Sequence, residues 1–256
     1  MNVRYETAER ITVITIDRPE RRNAVDEATA QELFGSFASF ESDSDSDVAI
    51  LTGAGGTFCS GFDLKAAAAG ELQRIEAGGR APMGPTRMRL AKPVIAAIEG
   101  YAVAGGMELA LWCDLRVAAS DAVLGIFNRR FGVPLVDSGT IRLPRLIGHS
   151  VAMDLILTGR PIGAVEAKSI GLVNRIAPNG EALNAARALA RELSAFPQSA
   201  LRNDRLSAIE QWDLPMREAQ ESEVRHGLAV LASGEAVRGA QRFVDGDGRH
   251  GTGSAS

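Results

Sequence analysis

The sequence predicts a protein of the α/β class with a parallel sheet, followed by a purely helical C-terminal region. Short apolar runs typical of buried strands recur along the first two thirds of the chain. Two of these runs end in glycine-rich turns, and helical patterns follow them. Alternation of strand and helix is typical of parallel sheets, because their connections are usually helices. After Pro178 only helical periodicity remains.

The predicted strands are residues 11–16, 48–52, 94–98, 115–118 and 173–176. After the first strand, Asp26 is expected to cap a helix whose apolar residues recur at helical spacing. The acidic residues 41–47 are expected to form a solvated connection between this helix and the second strand.

The C-terminal helical pattern requires a partner for its apolar face, either the core of the same chain or a neighbouring subunit. We therefore predict a core of residues 1–195 that holds the functional site, and a helical region of residues 196–244 that forms an interface. Residues 245–256 are small and polar, which predicts a disordered tail.

Composition excludes several classes of protein. A formal net charge of -4 does not favour nucleic acid as a partner. No apolar run approaches the ~18 residues of a membrane span, and residues 1–10 do not resemble a signal peptide. The two cysteines, Cys59 and Cys113, and three scattered histidines suggest neither a disulfide framework nor a metal site. We expect a cytoplasmic protein.

Three motifs of other enzyme classes are incomplete. The glycines at 53–56 follow a strand, but Phe58 stands where a dinucleotide-binding fingerprint needs a third glycine. Residues 137–140 read D-S-G-T, yet an aspartic protease needs two such loops to pair its carboxylates. The nucleophile elbow G-x-S-x-G of serine hydrolases does not occur.

Two glycine-containing segments, taken together, indicate a catalytic function. Residues 58–65 and 100–110 each place small residues before a predicted helix, where backbone N–H groups lack partners. Two such N–H groups converging on a carbonyl oxygen would stabilise an oxyanion. Glu108 would lie beside this point, in the first turn of the second helix. The alternative is that both segments are only tight turns and Glu108 only a favourable acid at a helix start.

Further motifs follow in one order along residues 10–180. They are R-N-A-V at 22–25, F-x-x-G-x-D-L-K at 58–65, G-G-x-E-L-A-x-x-C-D at 105–114, G-V-P at 132–134, T-x-R-L-P-R-L-I-G at 140–148, and T-G-R at 158–160 followed by 164–174. With this order and spacing the chain resembles the enoyl-CoA hydratase/isomerase family of the crotonase superfamily. The resemblance implies a spiral of repeated ββα units with a C-terminal helical appendage, assembled into homotrimers or hexamers.

The resemblance also implies the binding groups. The backbone N–H groups of Phe62 and Gly105 would hold the thioester carbonyl of an acyl-CoA. Coenzyme A would be contacted by the segment that includes Arg22 and Ala24, and by Asp63 and Lys65. The simpler interpretations are a solvated surface charge for Arg22 and Lys65 and a helix cap for Asp63. No metal or redox cofactor is implied, since coenzyme A is part of the substrate.

Glu108 corresponds to the first catalytic glutamate of the hydratases. The second would fall on Asn128, whose amide cannot act as a general base. Asp137 is the candidate replacement, if one extra residue is allowed in the loop after Pro134. It could instead cap the helix predicted to begin at Ser138.

We therefore expect an enoyl-CoA hydratase/isomerase-like enzyme that stabilises a thioester enolate, with Glu108 as acid and base. Two alternatives remain open. One is an acyl-CoA binding protein that lacks hydratase activity. The other is a different crotonase reaction, such as thioester hydrolysis or C–C cleavage, in which Asp137 takes part.

Overall fold

The computed structural model describes residues 1–70, 75–76 and 78–246. Strands and helices alternate from the N-terminus to residue 177, and helices alone follow. The strands are β1 (Val3–Ala8), β2 (Ile11–Ile16), β3 (Val48–Gly53), β4 (Val94–Ile98), β5 (Tyr101–Val103), β6 (Leu115–Ala119), β7 (Val123–Gly125), β8 (Ile162–Gly163) and β9 (Arg175–Ala177).

The larger sheet of the described chain has the strand order β1-β2-β3-β4-β6-β9. β1 is antiparallel to β2, and the later pairs are parallel. Side chains from β2, β3 and β4 alternate between two apolar clusters, one on each face of the sheet. Both faces are therefore buried, as a parallel sheet requires.

A smaller sheet contains β5, β7 and β8. An isolated bridge between Cys59 and Ala102 continues this sheet beyond β5, and a second bridge joins Val25 to Phe62. Successive repeats thus give one strand to the larger sheet, a short strand or bridge to the smaller one, and then a helix. The chain winds as a spiral of ββα units.

Helices cover the sheets and form the C-terminal region. They are α1 (Glu27–Ser42), α2 (Leu64–Ala68), α3 (Gly105–Trp112), α4 (Gly139–Ile147), α5 (His149–Thr158), α6 (Ala164–Ser169), α7 (Ala182–Ser194), α8 (Gln198–Glu210), α9 (Met216–Ala232) and α10 (Glu235–Asp245). Asp26 caps α1 as predicted, because its carboxylate accepts a hydrogen bond from the amide of Thr29 at 2.8 Å. α7 packs on the outer face of the larger sheet through Ala186 and Leu189.

Two local predictions need correction. The last strand begins at Arg175 and not at Val173, because the amides of Leu172 and Val173 bond to the carbonyl of Ala167 in a turn after α6. The acidic connection is not wholly solvated either. Asp47 at its end is buried and pairs with Arg10 and with Arg202 of α8.

The C-terminal helices α8, α9 and α10 cover most of the region predicted to be helical. Asp245 still belongs to α10, and residues 247–256 of the predicted tail lie outside the described residues. The boundary at residue 195 and the disorder of the tail stay predictions. Within the described residues, no helix is both long enough and apolar enough to cross a membrane.

Candidate active site

Two backbone amides that border the site have no acceptor among the described residues. The N–H of Gly105, the first residue of α3, lies before the first hydrogen bond of that helix. The N–H of Phe62 likewise donates to no other described residue, although both neighbours, Gly61 and Asp63, are bonded to Val25. Ala104, at the N-cap of α3, has a φ of 53°, an uncommon conformation for a residue with a side chain. This turn presents the Gly105 amide to open space.

Glycine at position 61 brings these two amides together. Gly61 has a φ of +97°, and a Cβ there would lie 2.8 Å from the Gly105 nitrogen and 2.9 Å from the Cβ of Ala104. Only glycine allows both this conformation and this approach. The residue before Phe62 therefore packs directly against the start of α3, where the Gly105 amide lies. That these two amides form an oxyanion hole stays a prediction.

Glu108 lies one turn further along α3 and is buried. Its Oε1 accepts hydrogen bonds from the amides of Asp137 at 2.9 Å and Gly139 at 2.8 Å. Its Oε2 accepts none from the described residues. Burial, followed by the nearby charge of Asp137, raises the pKa of Glu108 to about 7. Near neutral pH this carboxyl can both take up and release a proton.

Asp137 carries a second buried carboxyl, and it borders the same cavity as Glu108. Its Oδ1 accepts hydrogen bonds from the amide of Met83 at 3.0 Å and the hydroxyl of Thr86 at 2.5 Å. It caps no helix, so the alternative of a cap for α4 is wrong; Ser138 occupies the N-cap of α4, and Glu108 accepts the Gly139 amide instead. Burial raises the pKa of Asp137, and its hydrogen bonds oppose the shift.

The two donors and both carboxyls border one cavity of about 620 Å³. Most of its wall is apolar. The apolar and aromatic residues of the wall include Leu64, Pro82, Met83, Tyr101, Val103, Phe127, Phe131, Val133 and Val136. A cavity of this size and polarity suits a small acyl group.

Asn128 borders this cavity from the short 3-10 helix Phe127–Phe131. Its side chain is buried, and Nδ2 makes one long hydrogen bond, 3.4 Å, to the carbonyl of Pro134. Oδ1 is buried and has no partner among the described residues. The side chain of Asn128 thus borders the cavity, but its oxygen makes no hydrogen bond within the described part of the chain.

The residues predicted to contact coenzyme A lie shortly before α1 and at the start of α2. Arg22 borders the cavity, and Lys65 is exposed on α2. Ala24 is buried, and its carbonyl accepts a hydrogen bond from Arg18. Asp63 caps α2 by accepting the amides of Lys65 at 3.0 Å and Ala66 at 3.3 Å, so the cap interpretation is correct. Contact of these residues with coenzyme A stays a prediction.

Sequence reasoning missed the residues that hold the carboxyls in place. Thr86 lies 51 residues from its partner Asp137, so no local spacing links them. Arg142 donates to the carbonyls of Asp137 at 3.0 Å and Thr86 at 2.7 Å. Arg142 was visible only as the arginine of T-x-R-L-P-R.

Residues 6–246 match the model of the enoyl-CoA hydratase/isomerase family. The chain belongs to the enoyl-CoA hydratase/isomerase family. Enoyl-CoA hydratase EchA19 of Mycobacterium tuberculosis is 36% identical over 240 residues, which cover 91% of this chain and 90% of that protein. Carnitinyl-CoA dehydratase of Escherichia coli K12 is 36% identical over 241 residues, 92% of each chain.

Solved structures of the family agree with the fold. The enoyl-CoA hydratase EchA1 from Mycobacterium marinum superposes with a TM-score of 0.90 at 38% identity, over 95% of this chain and 96% of that one. An enoyl-CoA hydratase from Mycobacterium tuberculosis H37Rv gives the same TM-score and the same coverage at 40% identity. The predicted crotonase-like spiral with its C-terminal helices is therefore confirmed.

Proposed function

We propose that this family member hydrates 2-enoyl-CoA thioesters, with Glu108 as the acid and base. The observation that carries the proposal is the meeting of two unpaired backbone amides and a carboxyl of pKa about 7 in one apolar cavity. A thioester carbonyl placed at Phe62 and Gly105 would be polarised. One donor of this kind typically contributes ~2.7–4 kcal/mol to lowering a barrier.

The proposed reaction needs one carboxylate. The ionised Oε2 of Glu108 takes a proton from water as the water oxygen bonds to C3. The C2–C3 π electrons move toward the thioester, and the two amides stabilise the resulting enolate. Glu108 then returns the proton to C2, which gives the 3-hydroxyacyl thioester. The chemistry uses coenzyme A only as part of the substrate, without a metal or redox cofactor.

Asp137 is proposed as the partner carboxylate of Glu108. Its charge raises the pKa of Glu108. The hydrogen bonds that it accepts from Met83 and Thr86 fix one wall of the cavity. Arg22, Ala24, Asp63 and Lys65 are proposed to form the coenzyme A side of the site, with Arg22 and Lys65 supplying positive charge for its phosphates.

Isomerisation of 3-enoyl-CoA is a second candidate, which Asn128 favours. Moving a double bond requires only one group that removes a proton from C2 and returns it to C4. Glu108 satisfies that requirement without a second acid. Both reactions pass through the same enolate, so they share the amides of Phe62 and Gly105.

The acyl group is proposed to be apolar and without a cationic head. Aromatic faces are the usual receptors for quaternary ammonium groups. Here the face of Phe127 is already covered by the guanidinium of Arg130, 3.7 Å from the ring centroid. A carnitinyl group would meet this positive charge, so we do not assign the reaction of the carnitinyl-CoA dehydratases to this chain.

We propose a cytoplasmic homotrimer or hexamer. α9 and α10 expose large apolar side chains, including Leu228 at 58%, Leu231 at 62% and Val237 at 72%. Apolar side chains this exposed, and this close along the chain, are typical of surfaces that another subunit covers. The molar mass in solution tests the assembly, and a monomeric mass would contradict it. The buried, unpaired thiols of Cys59 and Cys113 fit a reducing compartment.

The first test is turnover of a panel of 2-enoyl- and 3-enoyl-CoA thioesters by the wild type and by Glu108→Gln. We expect the variant to bind the thioesters with unchanged Kd and to lose turnover by about 10²–10⁴-fold, the usual contribution of a general acid or base. Gly35→Ala is a matched control, because a Cβ at Gly35 meets no atom within 4 Å. Unchanged turnover in Glu108→Gln would overturn the assignment of Glu108.

A further inference from the structure

Arg18 joins three groups beside the two segments predicted to contact coenzyme A. Its side chain is only 11% exposed. Nη1 donates to the carbonyl of Ala24, and Nη2 pairs with Asp26 at 2.8 Å and with Asp63 at 3.3 Å. Asp26 is the N-cap of α1, and Asp63 is the N-cap of α2. One guanidinium therefore holds together the starts of two helices that are separated in the chain.

The partners of Arg18 surround the backbone bridge that carries Phe62. In this parallel bridge, Val25 donates to the carbonyl of Gly61 at 2.8 Å and accepts from the amide of Asp63 at 2.9 Å. Two of the partners of Arg18 flank Val25 in the chain, and the third, Asp63, follows Phe62. Arg18 thus fastens both sides of the bridge.

The bridge sets the direction of the Phe62 N–H. This N–H and the carbonyl of Gly61 belong to one planar trans peptide group, so they point in opposite directions. Because Val25 holds the carbonyl, the N–H is turned to the other side, where it has no acceptor among the described residues. We propose that Arg18 is a positioning residue that fixes the Phe62 amide as a donor to the thioester oxygen. This inference rests on the proposed function.

The surroundings of Arg18 favour this role over direct binding of coenzyme A. Arg18 is not among the described residues that border the cavity. Its single positive charge faces the carboxylates of Asp26 and Asp63, which more than offset it. A cluster with this balance of charge does not attract a phosphate group. Any effect of Arg18 on the reaction must therefore pass through the backbone that it holds.

Arg18→Met tests the inference, because methionine keeps an unbranched side chain but has no charge and no donor. The readout is the stretching frequency of the ¹³C-labelled carbonyl of a saturated acyl-CoA at saturating concentration. Hydrogen bonds from well-placed amides lower this frequency below its value in water. In Arg18→Met we expect a smaller downshift, and a fall in kcat for hydration of about 10- to 100-fold, less than the loss of a whole donor typically causes.

The pH profile separates this role from an effect on Glu108. The pKa of Glu108 responds to burial, to the charges of Asp137 and Arg142, and to the amides that its carboxylate accepts. Arg18 contacts none of these groups in the described chain. The acidic limb of the pH profile of kcat should therefore stay at the wild-type position in Arg18→Met.

Two milder variants and a control keep the test decisive. Arg18→Lys keeps the charge but has one terminal nitrogen in place of the two that Arg18 uses. Asp63→Asn can still cap α2 but loses its ion pair with Arg18. We expect both to reduce the carbonyl downshift less than Arg18→Met does. In the control Arg175→Met, which removes an exposed arginine paired with Glu192 at 3.0 Å, frequency and kcat should equal those of the wild type.

Each outcome has one meaning. A wild-type carbonyl frequency in the folded Arg18 variants overturns the positioning role, whether or not kcat falls, while the proposed function stands. A wild type that neither shifts the carbonyl frequency nor hydrates a 2-enoyl-CoA overturns the proposed function and this role with it. A smaller downshift and a lower kcat in the variants, with an unchanged acidic limb, support both.

Discussion

Two opposing sets of contacts set the pKa of Glu108. Removal from water and the charge of Asp137 favour the protonated form, whereas the amides of Gly139 and Asp137 and the charge of Arg142 favour the ionised form. The first set prevails, so the pKa of Glu108 rises to about 7, above the ordinary value for a glutamate. The same carboxyl can then act as base in one step and as acid in the next.

Asp137→Asn separates a direct role of Asp137 from an indirect one. Asparagine can still accept the hydrogen bonds of Met83 and Thr86, but it removes the charge that raises the pKa of Glu108. Since the ionised Glu108 is the proposed base, we expect the acidic limb of the pH profile of kcat to move to lower pH.

The plateau value of kcat in the pH profile of Asp137→Asn distinguishes the direct role of Asp137 from the indirect one. If Asp137 only acts through Glu108, the plateau of kcat in Asp137→Asn should stay within about tenfold of the wild type. A fall of about 10²–10⁴-fold at every pH would mean that Asp137 transfers a proton itself.

At the scale of elements, the N-terminal ends of α3 and α4 form the proposed active site. α3 supplies the Gly105 amide and, one turn later, Glu108. α4 begins against that glutamate, because the Gly139 amide donates to its Oε1. A Cβ at Gly139 would lie 2.8 Å from Oε1 and 2.9 Å from Cγ of Glu108. The packing of α4 on α3 therefore fixes the position of the base.

Gly139→Ala should displace Glu108, the proposed base, without touching the proposed oxyanion hole. We expect kcat to fall by up to about 10²-fold, the typical cost of a displacement near 1 Å, while the Kd of a saturated acyl-CoA changes little. Gly35→Ala, in open space on α1, is the matched control and should keep wild-type kcat. Wild-type kcat in Gly139→Ala would show that Glu108 tolerates a shift of α4.

At the scale of the whole molecule, local patterns predicted five strands of the larger sheet and the two segments, 58–65 and 100–110, that lead into α2 and α3. Each segment depends on a turn and a helix start that are visible within a few residues. The choice of Phe62 and Gly105 within these segments came from the family resemblance. The pairings of Asp137 with Thr86 and of Asp47 with Arg202 join residues far apart in the chain, and no periodicity encodes them. The family resemblance implied that Asn128 stands where the hydratases have a glutamate, but only the fold reveals that its Oδ1 lacks a partner among the described residues.

The spiral brings the proposed base and the oxyanion donors to one cavity although they come from separate repeats. Phe62 follows β3, whereas Gly105 and Glu108 follow β5, and α4 closes the site from a later repeat. Ligands of parallel sheets commonly bind where strands end and helices begin. The exposed apolar residues of α9 and α10 do not border this cavity and lie on the surface proposed for subunit contacts.

The central claim is that Glu108, ionised and held beside two backbone donors, is the base of the reaction. The most direct measurement is the pH dependence of kcat/KM for hydration of a 2-enoyl-CoA by the wild-type enzyme across neutrality. We predict a rate that rises with pH through an apparent pKa of about 7 and then levels off. A rate that is independent of pH across this range, or that falls as Glu108 ionises, would contradict the account.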